Sequence, residues 1–344
     1  MSGERETSRM EISRRDLLRA GGVGIAGTVL LGAAGCGGSQ QASSSKSGGK
    51  QGLVSRGDIH IEMPTHMIPP DPNTAIMQNG AEQAARDMGV SVKFRGPDQF
   101  SMPQIRQIFE SSIASNPSGI AATLPDASAL GPEIRKAVNK GIPVVLFNAG
   151  LDHWKQLGAL TYFGQTEYEA GVEAGKRMAQ AGVKSALVIN HQQGQLTLET
   201  RYRGVKKGLG GSVKEVAVDG SDPTAMRNGT ASALKQNPDV DGLITLGPEA
   251  AVQALRAIKS VGRSGQVKAA TFDISPEVLK DVRDGNLLFA IDQQMFLQTY
   301  LSVVTLTTYI QYLLSPVSAV PTGPDFVIRD MADKFIKLSR QGIH

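Results

Sequence analysis

Five polar residues stand directly after predicted β-strands, where their side chains can act on a bound molecule. They are Asp71, Asp126, Asn148, Glu249 and Asp273. Carboxylates accept hydrogen bonds and amides both donate and accept, so such a set suits the hydroxyls of a small polar solute. None of these carboxylates is paired with another in a way that demands acid–base catalysis.

Catalytic and metal-binding signatures are absent from the sequence. It contains no GxSxG, HExxH or Walker-type motif, and no GxGxxG follows a predicted strand. The single cysteine excludes an intrachain disulfide and a thiolate zinc cluster, and no His/Asp/Glu spacing indicates a metal site. We therefore expect a protein that is not an enzyme and needs no cofactor.

The charge pattern bears on the class of partner. The 36 Lys and Arg residues and 32 Asp and Glu residues give a formal net charge of +4. The basic residues are spread along the chain and form no run that would bind a phosphate backbone. Nucleic acid is therefore not an expected partner.

Alternating strand and helix patterns must position the polar residues. The length of 344 residues predicts about two domains. In the body of the chain, strand-like Ser91–Phe94 is followed by helix-like Met102–Ser115 and then by strand-like Gly119–Leu124. Strands that alternate with helices in this way predict a parallel sheet covered by helices on both faces.

The second half of the body repeats the first at an offset of 123 to 125 residues. The matched positions are Gly119 with Gly242, Pro125 with Pro248, Asn148 with Asp273, and Gly80 with Gly204. The repeat predicts two similar open α/β lobes. Ligands of open parallel sheets bind beyond the carboxyl ends of the strands, so a cleft between the lobes is the expected site.

Residues 1–36 have the pattern of an export signal. Arg14-Arg15 precede an uncharged stretch, Ala20–Ala34, which is too short to span a membrane comfortably. The start resembles a twin-arginine signal, and Ala33–Cys36 resembles a lipobox in which Cys36 becomes lipid-modified. Ala33 stands where leucine is usual, so an ordinary signal peptide that happens to contain a cysteine is the alternative.

A short linker follows the signal. Residues 37–57 are rich in glycine and serine and predict a flexible tether. We expect an exported protein, held at the outer face of a membrane by a lipid anchor.

Short segments along most of the body carry a family likeness. They are Asn79–Ala85, Gly89-Val90, Pro117–Ile120, Gly141–Val145, Phe163–Glu167, Ala170-Gly171, Arg201 with Gly204, Phe272-Asp273 and Ile291–Gln294. Together they resemble the ribose-type periplasmic sugar-binding proteins, which are the substrate-binding components of ABC importers. The resemblance covers roughly 58–330. It implies two open parallel-sheet lobes joined by a three-crossing hinge.

The resemblance also implies a set of ligand contacts. The corresponding positions are Asp71, Asn73, Thr74 and Asn148 in the first lobe and Arg201, Asp273 and Gln293 in the second. The family usually has aromatic residues where Asn73 and Thr74 stand, and an asparagine where Gly247 stands. Either another ring such as Phe100, Trp154 or Phe296 replaces the missing aromatic residues, or the ligand lacks a flat apolar face, as a small polyol does.

Further candidates and alternatives stay open. His66, Phe100, Asp126, Trp154 and Glu249 are weaker ligand candidates. Asp71, Asp126 and Glu249 could instead be helix N-caps, Asp273 could simply precede a helix capped by Ser275, and Arg201 could be a surface arginine.

The resemblance predicts a binding protein that closes by hinge motion on a sugar or polyol. The crossings are expected at Gln165–Glu167, Gln293–Gln294 and Thr322–Pro324. The lobes are then 58–164 with 294–322, and 165–293 with 323–344. The expected partners are an ABC permease and its ATPase, and the protein is expected to be a monomer.

One rival is a receptor that presents its ligand to a sensor kinase or chemoreceptor. Phe94–Pro97 resembles a segment of the autoinducer-2 binding proteins, so autoinducer-2 is also a candidate ligand. A transcriptional repressor of the same fold is disfavoured, because this chain has an export signal where a repressor needs a helix-turn-helix.

Overall fold

The computed structural model describes residues 54–69 and 72–344. The predicted signal with Cys36, most of the tether, and Asp71 lie outside these residues. The described strands are β1 (His60–Pro64), β2 (Ser91–Arg95), β3 (Gly119–Ala122), β4 (Val144–Phe147), β5 (Tyr162–Gln165), β6 (Ser185–Asn190), β7 (Ser212–Ala217), β8 (Gly242–Thr245), β9 (Lys268–Phe272), β10 (Ala290–Asp292), β11 (Val320–Gly323) and β12 (Asp325–Val327).

Helices connect these strands and cover the sheets. After a short 3₁₀ helix (Arg56–Asp58) they are α1 (Pro72–Met88), α2 (Met102–Ala114), α3 (Ala127–Asn139), α4 (Glu167–Gln180), α5 (Leu196–Leu209), α6 (Pro223–Gln236), α7 (Pro248–Ser260), α8 (Pro276–Asp284), α9 (Met295–Tyr312) and α10 (Arg329–Ser339). None of the helices in residues 54–69 and 72–344 is long and apolar enough to cross a lipid bilayer.

Local signals in the sequence fix several helix starts. Ser275 caps α8 because its Oγ accepts a hydrogen bond from the Val278 N–H at 3.2 Å, and Pro276 occupies the first helical position. Asp222 caps α6 in the same way, again followed by a proline. These caps orient the loops that leave the ends of the strands.

Two six-stranded sheets form the two lobes. The strand order is β11-β5-β4-β3-β1-β2 in the first and β12-β10-β9-β8-β6-β7 in the second. The prediction of two similar, mostly parallel lobes is confirmed. The exception is β12, which pairs antiparallel to β10. The chain enters β12 directly from the hinge, whereas the other strands of this lobe end at the hinge side. The direction of β12 is therefore opposite to theirs.

Three chain crossings join the lobes, which confirms the predicted hinge. They follow β5, β10 and β11, at Gln165, Asp292 and Gly323. A Cβ atom at Gly323 would lie 3.0 Å from both Gln165 Oε1 and Gln293 Cα. The three crossings therefore lie side by side.

Glycines at repeated positions allow helices to pack closely. A Cβ on Gly80 of α1 would lie 2.3 Å from the Phe296 carbonyl oxygen of α9. A Cβ on Gly204 of α5 would lie 2.3 Å from the Tyr168 carbonyl oxygen of α4. Both α4 and α9 begin directly after a crossing, so the repeat marks the same helix contact in each lobe.

Each sheet has a hydrophobic core on both of its faces. In β3, Ile120 and Ala122 belong to one core and Ala121 to another. In β8, Leu243 and Ile244 likewise face different cores. Burial on both faces explains the nearly continuous apolar runs of these strands. It leaves the carboxyl ends of the strands as the places where polar side chains can gather.

Candidate functional site

A cleft of about 940 Å³ opens beyond the carboxyl ends of the strands. The loops after β3 and β4 line it from the first lobe, and the loop after β6 lines it from the second. Asn148, Gln165 and Glu167 face it near the hinge, and Phe100 and Tyr168 line it as well. The cleft thus lies where the repeated α/β pattern places a ligand.

A buried ionic cluster lies behind this cleft. Arg201 is only 2% exposed. Its Nε and Nη2 donate to Glu167 at 2.6 and 3.2 Å, and its Nη1 donates to Asp273 Oδ2 at 2.9 Å and to the Leu246 carbonyl at 3.0 Å. The interpretation of Arg201 as a surface arginine is therefore wrong, because its fork binds two carboxylates of the protein.

Opposing effects set the charge of this cluster. Burial by itself would lower the pKa of Arg201, but the charges of Asp273 and Glu167 outweigh it and raise that pKa above its ordinary value. The guanidinium therefore stays charged. One cation against two carboxylates leaves the cluster with a formal charge of −1.

A chain of amides connects the cluster to the first lobe. Gln293 Nε2 donates to Asp273 Oδ1 at 2.7 Å. Asn148 Nδ2 in turn donates to Gln293 Oε1 at 3.1 Å and to Gln298 Oε1 at 3.3 Å. Four of the seven main candidates, Asn148, Arg201, Asp273 and Gln293, thus form one connected network across the hinge.

The backbone at the two strand ends is unusual in the same way. Asn148 has a φ of 61° and Asp273 a φ of 62°. Asn and Asp tolerate this left-handed conformation better than most residues. The residues matched by the repeat thus share a backbone turn as well as a position after the strand.

Neighbouring groups hold this network in place. The Tyr162 hydroxyl donates to the Asn148 carbonyl at 2.8 Å, and burial, with the charge of Glu167, raises the pKa of Tyr162. Gln165 Nε2 donates to Glu167 at 2.9 Å. The Oε1 atom of Gln165 is buried and accepts no hydrogen bond from the described residues. It is a further acceptor at the hinge.

The remaining main candidates lie at the start of α1. Asn73 is half-buried and borders a small cavity that Asp273 and Gln293 also line. Thr74 is buried, and its hydroxyl donates to the Ile68 carbonyl at 3.1 Å. The Thr74 hydroxyl therefore holds the preceding loop. Asp71, outside the described residues, stays a prediction.

The weaker candidates on the rim divide into two groups. Phe100 is 54% exposed and lines the cleft. His66 stands edge-on to that ring and shares a 2.8 Å hydrogen bond with Thr123 Oγ1, and burial lowers its pKa to about 4. Trp154 instead packs against the first-lobe core, and Phe296 stacks on Tyr300 along α9.

The two acidic candidates matched by the repeat differ in role. Asp126 lines the cleft and also caps α3, accepting from the N–H groups of Ser128 and Ala129. The hydrogen bond from the Ser128 hydroxyl is the main cause of its lowered pKa. Glu249 is exposed in the first turn of α7, whose N-cap is Gly247, so the N-cap interpretation of Glu249 is wrong.

Two members of the network are not among the predicted ligand residues. The sequence predicts Glu167 only as part of a crossing and indicates no role for Gln298. The signal for Glu167 is its place two residues after Gln165, the last residue of β5. Gln298 lies one helical turn after Gln294, at the start of α9. No group of three or more His, Cys, Asp or Glu residues in the described chain could hold a metal ion.

The sequence is similar to those of known binding proteins. A family described as periplasmic binding protein domain matches residues 67–312. The xylose/arabinose-binding protein of Sulfolobus acidocaldarius is 26% identical over 283 residues, which cover 76% of this chain and 69% of that protein.

Two solved structures extend the comparison. A carbohydrate transporter from Acidothermus cellulolyticus, in complex with myo-inositol, is 38% identical with a TM-score of 0.78, and the match covers 83% of this chain and 99% of that one. An arabinose-binding protein from Geobacillus stearothermophilus is 28% identical with a TM-score of 0.67, covering 81% and 99%. All three relatives are binding or transport proteins, which confirms the prediction of a protein that is not an enzyme.

Proposed function

Because the chain belongs to the periplasmic binding protein family, we propose that it is the exported substrate-binding component of an ABC importer, with a sugar or cyclic polyol as its ligand. The observation that carries the proposal is the buried network of Arg201, Asp273, Gln293 and Asn148, which links the two lobes beside the cleft. The proposed lobes are 58–164 with 294–322, and 165–293 with 323–344.

The charge of the network indicates the ligand class. The Arg201 cluster has a formal charge of −1, which repels an anion and favours a neutral ligand that donates from hydroxyl groups. Asp273 uses one lone pair of each oxygen within the protein and keeps further acceptor capacity. Four of the five N–H groups of Arg201 are used, which leaves one donor.

The missing aromatic residues narrow the class further. Asn73 and Thr74 offer no ring on which the apolar face of a pyranose could stack. An inositol bears a hydroxyl on every carbon of its cyclohexane ring and depends less on such a surface. The 38% identical structure was determined with myo-inositol, which supports a cyclic polyol as the first ligand to test.

Hinge closure is the proposed mechanism. Gln293 lies at a crossing and is bonded to Asp273 on one side and to Asn148 on the other. A ligand bound between the lobes adds hydrogen bonds that exist only in the closed form, so it shifts the population toward that form. An ABC permease and its ATPase are the proposed recipients.

A thermal-shift and calorimetric screen tests the ligand class. The panel contains myo-inositol, ribose, xylose, arabinose, galactose and autoinducer-2, with galacturonate as the anionic control. A ligand that binds only the folded protein must raise its melting temperature. We expect a rise with a neutral polyol or sugar and none with galacturonate. No rise with any neutral compound would refute the proposed class.

Export and lipid anchoring form the second part of the proposal. The basic start, the apolar stretch Ala20–Ala34 and the lipobox-like Ala33–Cys36 support a lipid-modified Cys36. The test compares the full chain with a Cys36→Ser variant by detergent phase partition. The unmodified sequence should enter the detergent phase and the variant the aqueous phase. Equal partition of the two would contradict lipid anchoring.

A further inference from the structure

A cluster of exposed apolar side chains lies outside the cleft. The base patch consists of Val54, Tyr312, Leu313, Leu314 and Val317. Their exposed fractions range from 44% to 98%. Soluble proteins seldom expose several large apolar side chains together unless a partner covers them.

The base patch lies on the first lobe at the end opposite the cleft. Val54 precedes β1, and the loop that contains Leu313, Leu314 and Val317 precedes β11. Both strands run parallel to their neighbours, so these segments lie where the strands begin. The Thr161 hydroxyl, just before β5, fixes this loop by donating to the Ser318 carbonyl at 2.8 Å.

The point where the described chain begins is held against this patch. Gln311 at the end of α9 donates from Nε2 to the Val54 carbonyl at 3.1 Å. Arg56 Nε donates to Gln311 Oε1 at 3.1 Å. The described residues therefore begin at the base patch.

The backbone of Leu313, within the base patch, adopts a conformation that is unusual for leucine. Leu313 ends α9 with a φ of 59°, a conformation that favours glycine at this position. Its side chain is 76% exposed, so no internal packing compensates for the strain. A strained backbone that displays a leucine to the outside points to a function outside the molecule.

We propose that the base patch rests in the outer leaflet of the membrane to which the protein is anchored. This inference rests on the lipid anchor at Cys36 proposed above. The 17 residues 37–53 span at most about 60 Å, so the anchor keeps the base patch close to the lipid surface. Apolar and aromatic side chains enter the boundary between headgroups and acyl chains readily.

This contact sets the orientation of the molecule. With the base patch in the membrane, the cleft faces away from the lipid and toward the solute. The contact is shallow, so the protein can leave the membrane surface and turn its cleft toward a permease.

Depth-dependent fluorescence quenching tests the proposal. The described residues contain both lobes with their cores, so the chain can be produced from Cys36 onward. Its single cysteine is then coupled to a maleimide lipid in vesicles of phosphatidylethanolamine and phosphatidylglycerol. In a Trp154→Phe background, which removes the only tryptophan, Leu314→Trp reports on the base patch. Leu196→Trp, at a cleft residue that is 57% exposed against 63% for Leu314, is the matched control.

Brominated lipids should quench the tryptophan fluorescence of the Leu314→Trp variant at least about twofold more strongly than that of the Leu196→Trp variant, because only the base patch enters the leaflet. Equal quenching of both variants, or none of either, would overturn the proposal. A dimer in light scattering that Leu314→Ser dissociates would identify a second copy as the occupant and would also overturn it.

Replacement of the strained residue gives a second readout. Leu313→Gly should raise the melting temperature, because glycine adopts the left-handed backbone freely, and should also weaken the binding of lipid-free protein to the same vesicles. Unchanged vesicle binding would contradict the proposal. The thermal shift with myo-inositol should be the same in Leu313→Gly, Leu314→Ser and the unmodified protein, because neither residue lines the cleft, so failure of the ligand proposal is detected separately.

Discussion

Replacement of Asp273 by asparagine probes the direction of the buried hydrogen-bond chain. Asp273 Oδ1 accepts from Gln293 Nε2 at 2.7 Å, and Oδ2 accepts from Arg201 Nη1 at 2.9 Å. Asparagine keeps one acceptor, which the charged guanidinium of Arg201 will take. Its amide NH₂ then faces the NH₂ of Gln293. If the Gln293 amide turns over, its NH₂ meets the donor of Asn148 instead.

The Asp273→Asn substitution therefore leaves one donor without an acceptor. A buried donor without a partner costs about 1–3 kcal/mol. In the open protein, water in the cleft can reach Asn148 and satisfy the displaced amide, whereas the closed, ligand-bound form excludes that water. Most of the cost thus falls on binding, and we expect the affinity to drop by roughly 5- to 150-fold.

Calorimetric titration with myo-inositol, or with whichever panel compound stabilises the protein, measures this loss. Asp241→Asn is the matched control, because Asp241 accepts from the N–H groups of Lys184 and Ser185 and does not line the cleft. It should lower the melting temperature without changing the affinity. An unchanged dissociation constant for Asp273→Asn would refute the assignment of this network to the ligand site.

Alanine at the same position should act differently. Asp273→Ala removes both acceptor oxygens, so the charged Arg201 Nη1 and the Gln293 amide both lose their partner. Asparagine keeps one of these acceptors, so the alanine variant should lose more stability as well as affinity. Asparagine is for that reason the better probe of binding.

Three further predictions concern packing, pH and the C-terminal segment. Gly204→Ala should cost about 1–3 kcal/mol of unfolding free energy, because its Cβ would meet a backbone oxygen at 2.3 Å, whereas Gly131→Ala, with its closest neighbour at 3.4 Å, should be neutral or stabilising. The free energy of unfolding should fall as the pH drops from about 6.5 to about 4, because His66 becomes protonated in the unfolded chain while burial holds its pKa in the folded protein at about 4. His66→Gln should reduce this dependence of stability on pH. Asn79→Ala should weaken ligand binding by roughly 2- to 10-fold, since the bond from its amide to the Gly342 carbonyl at 3.2 Å ties the C-terminal segment to α1 of the first lobe.

Denaturant titrations and calorimetry decide these three cases. Equal losses of stability for Gly204→Ala and Gly131→Ala would contradict the close contact of α4 and α5. A slope with pH that is the same in His66→Gln and in the unmodified protein would assign the pH response to other groups. An Asn79→Ala variant with unchanged affinity would show that the C-terminal contact does not influence closure.

The sequence predicted the architecture well because the architecture depends on periodic and local signals. Alternating strand and helix patterns identified the parallel sheets, and the repeat of Gly119, Asn148 and their partners identified two lobes. The antiparallel strand β12 was missed, because a three-residue strand has no period of its own. The direction of β12 follows only from the crossing that precedes it in the chain.

The candidate site was predictable in part, for a similar reason. Asn148 and Asp273 were found because they follow strands, and the structure gives both the same left-handed backbone. Arg201 was found only through the family resemblance, since a helix position by itself does not show burial. Gln298 was missed because its hydrogen-bond partners Asn148 and Thr322 come from elements distant along the chain.

The sequence alone determined the two-lobed α/β fold and the position of the cleft, and it is the basis of the export signal proposed for the N-terminus. Only the tertiary structure decided which polar groups became partners. Glu167 and Asp273 lie 34 and 72 residues from Arg201, yet both bind its guanidinium, which is only 2% exposed. The physical reason is that burial makes an unpaired charge costly, so partners are selected by distance and desolvation in the folded chain, which local periodicity does not encode.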